Sequence, residues 1–107
     1  MKLLKIGPSS AKGKKLSAVF EVDGKQKTIN FGSVGYRDYT LISNTGSKFY
    51  LKDLAERKKV KTAYINRHKK NEDWTNPMTA GALSRFILWN LPTRSASIKA
   101  FKKRFNL

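Results

Sequence analysis

The chain contains no cysteine, which excludes disulfides and thiolate metal sites and suits a reducing compartment. Acid is scarce as well: seven Asp and Glu stand against 23 Lys and Arg. Histidine occurs once, at His68. No apolar run approaches the roughly 20 residues needed to cross a bilayer. The opening Met1–Ile6 stretch carries Lys2 and Lys5 among its apolar residues, unlike a signal peptide. No internal repeat is visible, and the nearest thing to low complexity is Ala11–Lys15, a short loop.

What remains is 107 residues and 12.2 kDa, room for one domain spanning 1–107 around one small core. Hydrophobic residues make up 39% and aromatics 11%, too much for a disordered basic tail. The formal charge is +16. It is +5 over residues 1–35, +7 over 36–71 and +4 over 72–107, so it belongs to a folded surface rather than to a detachable arm. A charge that large repels itself, and an anionic partner is the expected relief.

The strongest local signal is Leu16–Val22, then Asp23-Gly24, then Lys25–Phe31. Asp-Gly between two alternating runs predicts a two-residue hairpin, because a type I′ turn needs positive φ at both central positions. The register pairs Val22 with Lys25, Phe20 with Lys27, Ala18 with Ile29 and Leu16 with Phe31. One face is apolar and requires helices over it. Residues 2–6 are a candidate third strand. Gly32 and Gly35, ahead of Tyr36 and Tyr39, predict a sharp reversal at positive φ.

A helix is predicted from Asp53, with Asp53 as cap and Glu56 at its third position. Leu54, Val60, Tyr64, Ile65 and His68 share one side, and Lys58, Lys59, Lys69 and Lys70 lie opposite. Arg57 and Lys61 project from the apolar side and must snorkel or meet a carboxylate. Thr79 is placed to cap a second helix over 80–90, apolar nearly all round and either the central core element or a partner-facing one. A third helix, capped by Ser95 or Ser97, carries Ile98, Phe101 and Phe105. The fold class is α+β: a hairpin, extended to three strands if residues 2–6 pair with it, packed by about three helices.

Four kinds of chemistry compete. His68, Glu72 and Asp73 lie close in sequence, as a small metal-dependent nuclease would need, but further ligands are not visible, and packing is the simpler role. Gly32 and Gly35 fit neither a Walker A loop nor a dinucleotide fingerprint. Lys58, Lys59, Lys69, Lys70, Lys102, Lys103 and Arg104 are candidates to contact a polyanion through its phosphates. No base-reading motif accompanies them, although Tyr36, Tyr39, Phe49 and Tyr50 are available for stacking or for the core. Leu83, Phe86 and Trp89 on the apolar helix are candidates for docking another protein.

Phe31-Gly32-x-x-Gly35-Tyr36-x-Asp38-Tyr39-Thr40, Tyr64-Ile65-x-Arg67-His68, Glu72-Asp73-Trp74 and the block Thr79–Asn90 follow one another in an order that resembles a small basic protein family of nucleocytoplasmic large DNA viruses. The resemblance runs from about residue 16 to 107 and departs from the family between Thr40 and Ala55. It implies a viral origin and a place in the particle, with no catalytic residues to carry over. The expectation is therefore a non-enzymatic minor capsid or core-associated virion protein, assembled in the host cytoplasm. It would bridge capsid or core proteins to genomic DNA or an inner membrane surface, without cofactor, metal or small-molecule substrate. The alternatives are a sequence-independent DNA-binding protein and, behind it, the nuclease.

Overall fold

The computed structural model describes residues 1–107. Three antiparallel strands, β1 (Lys2–Pro8), β2 (Lys14–Val22) and β3 (Lys25–Ser33), form a sheet in sequence order. The β2–β3 register is the predicted one, with Leu16 opposite Phe31, Ala18 opposite Ile29, Phe20 opposite Lys27 and Val22 opposite Lys25. Asp23 at φ 51° and Gly24 at φ 76° make the left-handed pair that a type I′ turn demands. β1 adds the third strand and shifts register between Leu3 and Lys5.

Four helices follow. α1 (Tyr39–Ile42) is a single turn that the sequence pattern did not reveal. Asp38 caps it, accepting from the Leu41 N–H. α2 (Leu54–His68) begins at its expected cap, Asp53, which accepts from Ala55. α3 (Ala80–Leu83) is capped by Thr79 and continues as a π-helical turn, Ser84–Leu88, closed by Trp89 N–H donating to the Ser84 carbonyl. α4 (Arg94–Phe105) starts earlier than predicted. Its cap is Thr93, whose hydroxyl accepts from Ala96 N–H. Ser97 is instead buried, bonded through its hydroxyl to both the N–H and the carbonyl of Leu91.

The core joins Leu16, Ala18, Phe20 and Phe31 of the sheet to Leu83, Phe86, Ile87, Leu88 and Trp89, with Ile42, Tyr64 and Phe101 closing its sides. The near-all-apolar segment is thus the central core element. Leu83 is fully buried, and Phe86 and Trp89 are 6% and 7% exposed, so none of the three forms a surface for another protein. Four successive buried side chains, Phe86–Trp89, need neighbours on several sides. The sheet, α2 and α4 supply them: Trp89 stacks on Tyr64, and Phe86 meets Phe105 edge-on. Gly32, at φ 78°, lets the strand end pass Leu88, whose Cδ1 would lie 2.7 Å from an added Cβ.

The cations on the apolar side of α2 meet aromatic faces and a carbonyl rather than acids. Lys61 donates to the Asn90 carbonyl at 2.6 Å and lies 4.9 Å over the Tyr39 ring. Burial, and then the charges of Arg85 and Lys58, hold its pKa below the ordinary lysine value. Arg57 lies over Tyr50. Leu54, assigned to the apolar face by periodicity, is 50% exposed.

Candidate functional site

A cleft of about 870 Å³ opens where the β2 and β3 ends, the 33–38 loop, α2 and α3 converge. Its floor is apolar and aromatic: Phe31, Val60, Tyr64 and Trp89. Two adjacent rows of α2 build one wall. Val60, Tyr64 and His68 recur every four residues along the floor, and Lys59, Ala63 and Arg67 do the same along the rim. Lys59 and Arg67 are therefore two turns apart, about 12 Å along the helix. Lys14, Lys15, Tyr36 and Arg37 face them from the strand end and loop.

Two carboxylates line the cleft, and both are committed. Asp38 is 1% exposed and receives Lys15 Nζ at 2.8 Å, the Thr40 hydroxyl and the Leu41 N–H, with Arg94 at 3.7 Å. This one side chain ties β2, α1 and α4 together. Lys15 also donates to the Tyr36 carbonyl at 2.6 Å, fixing the loop that forms the cleft's edge. Glu72 accepts the Trp74 indole N–H at 3.0 Å and lies 3.3 Å from His68 Nδ1. It also packs beside Gly81, where an added Cβ would come within 3.0 Å of its carboxyl carbon. Lys14, Arg37, Lys59 and Arg67 are exposed around the mouth and pair with no carboxylate. The cleft is thus a cationic rim over an aromatic floor.

The floor continues as a column of rings. Trp89 and Tyr64 stack nearly parallel, centroids 4.2 Å apart and planes 6° from each other. His68 stacks on Tyr64 at 4.1 Å. Two neighbours at such distances occupy opposite faces of the phenol ring, so the order is Trp89–Tyr64–His68. Burial, and next the Glu72 charge, push the Tyr64 pKa above the ordinary value.

The positions singled out in the sequence scatter differently. Lys59 alone of the seven polyanion candidates lines the cleft; Lys58 is exposed on α2, and Lys69 and Lys70 are exposed just past its C-terminal end, all three outside the lining. Lys102 and Lys103 are exposed on α4, and the Arg104 guanidinium lies 4.3 Å over the Phe86 ring. Of the loop aromatics, Tyr39 is core and Tyr36, 72% exposed, edges the cleft. His68 and Glu72 meet, but Asp73 is exposed and turned to Thr75, whose hydroxyl and then N–H hold its pKa down. No group of three or more His, Asp or Glu side chains gathers to hold a metal ion. Sequence reading missed Lys14, Arg37 and Arg67. Arg67 had a signal, its four-residue spacing from Ala63 and Lys59; Lys14 and Arg37 reach the site only through tertiary packing.

A family model matches residues 4–44. Its description is a family of unknown function, DUF5754. The matched stretch covers the sheet from Leu4 onward, the cleft-edge loop and α1, and includes Asp38 with its partners Lys15 and Thr40. α2 and α3, which form the opposite wall, lie beyond it. No curated protein and no solved structure matches the chain.

Proposed function

We propose that this protein is a non-enzymatic, sequence-independent nucleic-acid-binding protein that holds phosphates through an unpaired cationic surface. One observation carries the reading: only two of its 23 Lys and Arg, Lys15 and Arg94, lie within ion-pair distance of a carboxylate, and both reach the same one, Asp38. The remaining cations are left to solvent, aromatic faces or an external anion. Nucleic acid is favoured over a membrane surface because the free cations Lys14, Arg37, Lys59 and Arg67 ring a concave, aromatic-floored cleft, whereas a bilayer is met by a flat patch. No helix is long and apolar enough to cross a membrane.

In a large DNA virus particle, the setting its motifs resemble, such a protein would be a minor component on the genome side. The burial of Leu83, Phe86 and Trp89 weighs against the capsid-bridging half of that expectation. Nuclease chemistry through His68, Glu72 and Asp73 draws no support from the geometry, because Asp73 stands apart from the other two.

Fluorescence-anisotropy titration of labelled oligonucleotides of unrelated sequence, at rising salt, tests the proposal. With four phosphates engaged, log K should fall with log salt at a slope of about −3 for a single strand and about −4 for a duplex. Absence of binding at low salt, or binding indifferent to ionic strength, would overturn it. Mass spectrometry of purified virions tests the particle assignment separately.

A further inference from the structure

We infer that the cleft is a single-strand site in which one unpaired base stacks on His68 as the fourth ring of the Trp89–Tyr64–His68 column. The inference rests on the nucleic-acid reading above and narrows it to single strands, with the base as a recognised group.

The column ends at a partly open ring. Tyr64 covers the inner face of His68, yet the His68 side chain remains 39% exposed and lines the cleft. Its accessible part is therefore the outer face and the edge away from Glu72. Glu72 holds the Nδ1 edge, and Trp74 holds Glu72 in turn, so the imidazole plane is fixed from two directions. A fixed, half-covered aromatic ring at the inner wall of a cationic cleft is the platform on which a base, but not a simple phosphate, gains contact area. Stacking of this kind tolerates any base, in keeping with the lack of a base-reading motif.

The surroundings suit a strand rather than a duplex. Lys59 and Arg67 flank the column on the α2 rim, and Lys14 and Arg37 stand on the facing edge. A backbone running between these pairs can turn one base inward. In a duplex the bases are paired and stacked on one another, so none can enter without being flipped out of the stack. Ala63, the small exposed residue between Lys59 and Arg67 on the α2 rim, leaves that inward path open. The volume also falls in the range of about 300–1,000 Å³ typical of sites for molecules of nucleotide size.

The test compares an oligothymidylate of about eight nucleotides with an abasic oligomer of the same length and charge, and with a duplex. The thymidylate should bind about tenfold tighter than the abasic strand at equal salt, with the same salt slope, as one stacked base supplies. It should also outbind the duplex. His68→Leu keeps apolar cover on Tyr64 but removes the aromatic platform, and should abolish the base-dependent difference. Lys69→Gln, outside the cleft, should leave that difference intact. Equal affinity for thymidylate and abasic strands, or a preference that survives His68→Leu, overturns the stacking site while leaving phosphate binding in place. Failure of all three nucleic acids to bind overturns the broader reading as well.

Discussion

Tyr64 is the residue on which core and cleft meet. It is 7% exposed, carries Trp89 on one face and His68 on the other, and forms the cleft floor. Burial, followed by the Glu72 carboxylate, disfavours its phenolate and raises its pKa above 10.0. The sign of the linkage follows from that direction. Below the ordinary tyrosine pKa both folded and unfolded chains keep the proton, and the contribution is whole. Above it the unfolded chain loses a proton that the folded chain retains, so stability falls as pH rises toward the folded pKa. Tyr64→Phe removes this contribution and keeps the stacked ring. Urea denaturation from about pH 9 to pH 11 should show a shallower alkaline loss for the variant than for the native chain. Parallel curves would mean that the hydroxyl is not the group responsible. Asp38 is the other residue that organises the site, because one buried carboxylate receives two cations, a hydroxyl and a helix-capping N–H from three parts of the fold.

Among the elements, the helix ends carry the clearest consequences. Each of the four helices has a side-chain oxygen at its cap: Asp38, Asp53, Thr79 and Thr93. The start of α4 is where sequence and structure part, since Thr93 caps it while Ser95 and Ser97 lie inside. Thr93→Ala should therefore lower stability by about 1 kcal/mol, whereas Ser95→Ala, at an exposed position, should change it by less than about 0.5 kcal/mol. Paired chemical denaturation curves decide between the two starts, and the reverse order would restore the sequence-based one. The π turn Ser84–Leu88 lies directly between α3 and Trp89, with Arg85 donating to the Trp89 carbonyl at 2.8 Å. Arg85 spans Trp74 and Phe86 with no acid beside it, and burial, then Arg104, lowers its pKa. The turn and this guanidinium hold the base of the ring column in place.

On the scale of the whole molecule the dominant fact is unrelieved positive charge. With 23 Lys and Arg against seven acids, a net charge of +16 on 107 residues, the folded state compresses like charges that the unfolded chain spreads apart. Salt shortens the range of that repulsion, from a Debye length of about 30 Å at 0.01 M to about 8 Å at 0.15 M. The melting temperature should rise over that interval, while oligonucleotide affinity falls over the same interval. Scanning calorimetry and anisotropy on one salt series check both. A melting temperature that is flat or falling with salt would show that the cations are already compensated within the fold.

Much of the architecture was legible because local rules act within a few residues. Asp23-Gly24 determined the hairpin and its register, since only that turn puts Leu16, Ala18, Phe20 and Phe31 on one face. Asp53 and Thr79 announced two helix starts. The site itself was not legible. Nothing local says that Lys14 and Arg37 will stand opposite Lys59 and Arg67, because those positions are joined only by the sheet, the Asp38 node and the stacking of Tyr64 of α2 on Trp89. Nor does periodicity distinguish an apolar helix that docks a partner from one surrounded by its own chain. That choice depends on how many neighbours the other elements bring, and here the sheet, α2 and α4 bring enough to bury Leu83, Phe86 and Trp89. Charge and turn chemistry are properties of the sequence; a cleft is a property of what long-range packing leaves unfilled.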